Sequence, residues 1–166
     1  MSACFSTFAP NYLIMQNWFT CKVKYQKIDS NGKMSRAAET YLVDAINFTE
    51  AEKRIFELME QYISGEMEVI GITRSNYTEI FHYDSGQYWF KAKVSWSVFD
   101  EKSSKETKVN NQMLVSADSV REAYDRISEN LETMLVPVEI SLVALSPILD
   151  VFPLFNPNDS VDEASV

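Results

Sequence analysis

The chain has 166 residues, 46% of them hydrophobic and 13% aromatic, which is material for one domain with one real core. Against 15 Lys and Arg stand 24 Asp and Glu, so at a net charge of -9 and a pI near 4.6 the whole-protein field repels nucleic acid and anionic membrane unless a local basic patch overrides it. Four Gly and five Pro exclude a collagen-like or low-complexity chain, and no run approaches the roughly 20 apolar residues that span a bilayer.

Residues 1–16 read as a separate N-terminal segment. It is apolar, but it has no basic start and is broken by Pro10 and Asn11, so it does not read as a signal peptide. The two cysteines, Cys4 and Cys21, form no C-x-x-C pair and are too few for a disulfide framework, which points to a reducing compartment and a soluble, cytoplasmic protein.

The first predicted strand is "WFTCKVKYQKI". Alternation puts Phe19, Cys21, Val23 and Tyr25 on one face and Trp18, Thr20, Lys22 and Lys24 on the other. The turn residues Asp29, Asn31 and Gly32 then predict a hairpin into "MSRAAETYLVDAI". In "NFTEAEKRIFELMEQYI" the spacing of Phe48, Ala51, Ile55, Leu58, Met59 and Tyr62 predicts a helix, with Asn47 or Thr49 as its N-cap. An extended segment, "EMEVIGITRSNYTEIF", follows.

The pattern then returns. "WFKAKVSWSVF" repeats the first strand, with Phe90, Ala92, Val94, Trp96 and Val98 opposing Trp89, Lys91, Lys93, Ser95 and Ser97. "TKVNNQMLVSA" closes its hairpin. "ADSVREAYDRISENLETML" supplies a second helix, capped by Asp118 or Ser119, and "VPVEISLVALSPILDVF" a second extended segment. Seven identities align the units: Leu42/Leu114, Val43/Val115, Ala45/Ala117, Glu50/Glu122, Ala51/Ala123, Arg54/Arg126 and Ile55/Ile127.

The expected fold is α+β: a duplicated ββαβ module, its repeats at about 17–83 and 88–153, forming a two-layer, mostly antiparallel sheet with two helices on one face. One repeat could scarcely bury enough surface alone, so residues 17–153 are expected to form a single domain. Residues 154–166 read as a disordered acidic tail.

The stretches "WFTCKVKY", "TYLVDAINFTEAEKRI", "SGEMEVIGITRSNYTEIF", "YWFKAKV" and "PILDVFP" resemble an uncharacterised domain family common in Bacteroidota and their phages. The resemblance covers about Trp18 to Pro153. It implies a bacterial or phage cytoplasmic setting, in the host cytoplasm if phage-encoded, and no activity.

Little in the sequence points to catalysis. The single histidine, His82, excludes a two-histidine metal site and reads as a surface or strand-end residue, and no nucleophile elbow accompanies it. Neither a Gly-rich phosphate loop nor a dinucleotide fingerprint occurs. The carboxylate pairs Glu66/Glu68 and Glu50/Glu52 have the spacing of solvated faces, and Cys21, equivalent to Ala92, reads as a small core hydrophobe.

The unusual local composition is the Trp and Lys face. Trp18 and Trp89 are the groups to stack on a base, Lys22, Lys91 and Lys93 to neutralise phosphate, and Arg74 with Tyr77 to add a planar donor and an aromatic ring. The bland alternatives are solvated lysines beside edge tryptophans, or an uncovered sheet face that self-associates into a homo-oligomer.

The first functional reading is a non-enzymatic binding protein, without a cofactor, for a small anionic, nucleotide-like ligand. With the family resemblance, that becomes a phage-associated protein sequestering a host nucleotide signal. A single-stranded nucleic-acid-binding or recombination accessory protein is the alternative, disfavoured by net charge, so nucleic-acid binding is expected to be weak or absent. A protein-interaction module with no small ligand is the third reading.

Overall fold

The computed structural model describes residues 17–154. The N-terminal segment with Cys4, and all of the expected tail but Leu154, lie outside the described residues. The elements in chain order are β1 (Trp18–Ile28), β2 (Met34–Asp44), α1 (Phe48–Glu60), β3 (Met67–Arg74), β4 (Tyr77–Phe81), β5 (Tyr88–Asp100), β6 (Lys105–Ala117), α2 (Val120–Leu131), β7 (Val138–Leu145) and β8 (Ile148–Phe152).

The α+β class and the mostly antiparallel pairing are as the sequence implies, and each repeat runs strand, strand, helix, extended segment. In the first hairpin Asp29 Oδ1 accepts from the backbone N–H of Asn31 at 2.9 Å and of Lys33 at 2.8 Å, while Gly32 takes a φ of 77°. Each helix begins on a capping box. Asn47 accepts from the Glu50 N–H and Glu50 from the Ile46 N–H; Ser119 accepts from the Glu122 N–H and Glu122 from the Asp118 N–H.

Each extended segment breaks after its first strand, and the remainder changes sheets. The first sheet has the order β3-β1-β2-β8 and the second β4-β6-β5-β7, so each repeat donates its last short strand to the other. The donated strands pair parallel, β8 on β2 and β4 on β6, while the other pairs are antiparallel. A serine marks each crossing. The Ser75 N–H donates to the Trp18 carbonyl and the Ser146 N–H to the Trp89 carbonyl, both at 2.8 Å. Their hydroxyls accept from Tyr77 and Ile148 two residues on, which turns the chain.

The strands therefore form two sheets, and each helix covers the outer face of its own. Phe19, Cys21, Val23, Tyr41 and Val43 pack on Ala51, Ile55 and Met59 of α1. Phe90, Ala92, Val94, Met113 and Val115 pack on Ala123 and Ile127 of α2. A third cluster, of Trp18, Leu42, Trp89, Leu114 and Ile148, with Tyr77, Ile80 and Val151 against it, joins the two inner faces. The order of layers is helix, sheet, sheet, helix.

Equivalent arginines pin each helix to the crossing. Arg54 donates to the Asp44 carbonyl and, at 3.2 Å, to the Pro153 carbonyl beyond β8. Arg126 donates at 2.5 Å to the Ser116 carbonyl and at 2.7 Å to Ser85 beyond β4. The Ser116 hydroxyl accepts from the Tyr83 N–H at 2.6 Å, and Gly86 approaches so closely that a Cβ there would lie 2.5 Å from the Ala117 nitrogen. At the position of Ser116 the first repeat has Asp44, whose carboxylate accepts from the N–H groups of Leu154 and Asn17. Both ends of the described domain thus meet one buried carboxylate.

Two tests follow from this pseudo-symmetry. Ile55→Ala and Ile127→Ala should each cost about 2–5 kcal/mol in urea unfolding, since each deletes the same fully buried side chain under its helix; a negligible cost at one of them contradicts the equivalence. At Asp44, burial raises the carboxyl pKa, opposed by the Leu154 N–H, the Arg54 charge and the Asn17 N–H. The folded protein therefore holds this proton more tightly than the unfolded chain, so its contribution is greatest in acid and falls as pH rises through the ordinary carboxylate range to the raised folded value. The stability of the wild type relative to Asp44→Asn should decline between about pH 3 and pH 6. Calorimetry of both proteins across that range gives the difference; a rise contradicts the assigned direction.

Candidate functional site

The seven residues named from the sequence separate into an inner and an outer group. Trp18 and Trp89, only 7% and 5% exposed, lie at the centre of the sheet-to-sheet contact. This corrects the expectation that they stack on a ligand from an uncovered face. Each tryptophan faces the other repeat, and His82, at the exposed end of β4, stacks its ring on Trp89 with centroids 5.6 Å apart. Tyr77 is also turned inward, half-buried against the same cluster, with its hydroxyl bonded to Ser146 and its pKa raised by burial.

Arg74 is exposed but engaged. It donates to Asn17 Oδ1 at 3.3 Å, and its guanidinium lies 5.8 Å from the centre of the Phe19 ring.

Lys22, Lys91 and Lys93 form the outer group. All three are exposed, and none makes an ion pair or a side-chain hydrogen bond among the described residues. Lys22 and Lys93 occupy equivalent positions, four residues beyond their respective tryptophans. At each, the flanking edge strand shifts register, between Lys22 and Val23 against β3 and between Lys93 and Val94 against β7. A β-bulge of this kind bends the strand and re-aims the side chains beside it. Lys91 has no cationic counterpart, because Thr20 stands at its position.

One polar group on this face has no partner. Ser95 follows Lys91 and Lys93 on the same side of β5; it is 3% exposed, and its hydroxyl makes no hydrogen bond. The sequence places Ser95 on that face but carries no sign of its burial, which depends on the neighbouring strands. A hydroxyl out of water and unpaired is costly, so such a group is a candidate donor to something bound.

The remaining titratable groups are structural in their surroundings. Cys21 is fully buried, and burial pushes its thiol up to about 11, which keeps it protonated and unreactive. Glu39 accepts from the hydroxyls of Tyr25 at 2.9 Å and Tyr41 at 2.7 Å, and burial followed by these bonds raises both phenol pKa values. Glu66 and Glu68 line a groove of about 530 Å³ at the C-terminal end of α1, opposite Lys24 and Arg36. A second groove, of about 730 Å³, runs between α2 and β7. None of the seven named residues lines either groove. Among the described residues no three His, Cys, Asp or Glu gather to hold a metal ion, and no helix is long and apolar enough to cross a membrane.

A family model described as a domain of unknown function, DUF4494, matches residues 17–154, the whole of the described domain. No curated protein and no solved structure matches the chain.

Proposed function

The chain belongs to the family of the domain of unknown function DUF4494, and we propose that it is a non-enzymatic binding protein for a small anionic, phosphate-bearing ligand. One observation carries the reading: three exposed lysines, without an ion pair among the described residues, stand on the tryptophan-bearing sides of their strands in a protein whose net charge is -9. Lys22 and Lys93 enter as an equivalent pair, one from each repeat. On the second-repeat side Lys91 and the orphaned hydroxyl of Ser95 stand beside Lys93.

This donor set fits phosphate oxygens. An ammonium is a compact point charge with three donors, and a nearby hydroxyl adds a directed one. With the tryptophans internal, recognition rests on the anionic part of a nucleotide-like molecule rather than on base stacking. Holding such a ligand without changing it is the chemistry of a sequestering protein, and the phage association with a host nucleotide signal is part of this proposal. Three lysines neutralise few phosphates, so single-stranded nucleic acid is a poor competitor at physiological salt.

The test is a thermal-shift and calorimetric series with cyclic nucleotides, ADP-ribose and inorganic phosphate, followed by heat release and analysis of the recovered compound. A nucleotide should raise the melting temperature and return unaltered, and Lys22→Ala or Lys93→Ala should each weaken binding by roughly 10- to 100-fold. Ser95→Ala should weaken it less. No shift with any of these compounds, or a chemically altered product, would overturn the proposal. Tight, salt-sensitive binding of single-stranded oligonucleotide would replace it with the nucleic-acid reading.

A further inference from the structure

The groove between α2 and β7 lies on the helix side of the second sheet, and only Leu142 of its lining, the cross-strand partner of Lys93, belongs to the lysine face. Val120, Tyr124 and Leu142 line it at 50%, 46% and 38% exposure, above Ile140 and Val143. β7 forms its other wall and, among the described residues, pairs only with β5, at one edge of the sheet. An apolar groove beside an edge strand is a costly surface to leave in water.

The charges at this groove are what identify its occupant. Arg121 and Asp125 line it four residues apart on α2, and neither forms an ion pair among the described residues. With the cation N-terminal to the anion, the pair has the weaker order for pairing within one helix. If a second α2 is laid antiparallel across a twofold axis, however, Arg121 of each copy comes opposite Asp125 of the other. Tyr124 then falls between the two charge pairs, with Val120 just outside them. The surface is complementary to itself, as an isologous contact requires.

The first repeat lacks this arrangement. Thr49 and Lys53 stand where the second has Arg121 and Asp125, and Lys53 is engaged with Glu57 at 3.8 Å. Phe48, at the position of Val120, leans edge-on against Phe19 with ring centres 4.9 Å apart. Two copies of α1 would set a lysine against a threonine. The charge pattern therefore belongs to the second repeat alone.

We propose that the α2–β7 groove is the contact between two copies of this chain, which form a twofold dimer with Tyr124 and Val120 in its apolar seam and reciprocal Arg121–Asp125 pairs beside them. The inference does not rest on the ligand reading, because the α2 residues that carry it cover the sheet face opposite Lys91 and Lys93. It also relocates the expected self-association: the Trp-bearing face is covered within the chain by the other repeat, so the copies meet on the outside.

Sedimentation equilibrium of the full chain at micromolar concentration tests it, with circular dichroism as a check on folding. The wild type should have the mass of a dimer. Arg121→Asp and Asp125→Arg should each give a monomer, through like charges set opposite one another, and the double exchange Arg121→Asp with Asp125→Arg should restore the dimer. Tyr124→Glu should also give a monomer. These positions are exposed, so the folded monomer is expected to survive each change. A monomeric wild type overturns the proposal and leaves the groove to residues 1–16 or to a different protein. A dimer that withstands Arg121→Asp and Tyr124→Glu overturns it as well, since its contact then lies elsewhere.

Discussion

Trp18 and Trp89 bury against each other's repeat, and the rest of the architecture accommodates that contact. Each tryptophan carries on the order of 150–250 Å² of surface, which at about 25 cal/mol per Å² gives an upper bound of about 4–6 kcal/mol apiece. Neither could be covered within its own repeat, because the helix of each unit occupies the opposite face of its sheet. The donated strands close the arrangement from the sides. β8 brings Ile148 and Val151 to the first sheet, and β4 brings Tyr77 and Ile80 to the second. The two repeats are consequently one folding unit, since removing either takes a strand out of the other's sheet.

The polar features follow from the same constraint. A strand that leaves one sheet for another must satisfy its backbone at the crossing, and the Ser75 and Ser146 pair does so with matching geometry. The arginine that reaches from each helix to the end of a crossed strand ties together three pieces of backbone that hydrophobic packing alone would leave loosely placed. Asp44 and Ser116 occupy the same position and do the same work with different chemistry. A serine there costs little, whereas a carboxyl whose pKa is raised by burial makes the first repeat less stable as pH rises through the carboxylate range.

Where the repeats agree, the residues are structural; where they differ, the surfaces differ. Leu42/Leu114, Val43/Val115, Ala51/Ala123 and Ile55/Ile127 are all buried, and Arg54/Arg126 is the clamp. The differing pairs Thr20/Lys91, Lys24/Ser95, Thr49/Arg121 and Lys53/Asp125 redistribute the donors of the lysine face and supply the charges beside the α2–β7 groove. A duplicated scaffold of this kind carries two distinct surfaces on one repeat without disturbing the core that both repeats share.

The sequence by itself determined the repeat, the hairpins, the capped helices and which strand face each helix covers, because these depend on period, turn chemistry and residues close along the chain. It also placed Trp18 and Trp89 on the face opposite the helices. What covers that face was decided only by the tertiary structure. An alternating strand shows that a side is apolar or mixed, but not whether it meets solvent, another copy or the second half of the same chain. The breaks at Ser75 and Ser146 were hidden for a related reason, since both halves of each extended segment have strand composition and only long-range pairing separates them into two sheets. Burial of the tryptophans and the unpartnered Ser95 hydroxyl come from residues distant in sequence, and no local pattern encodes such distances.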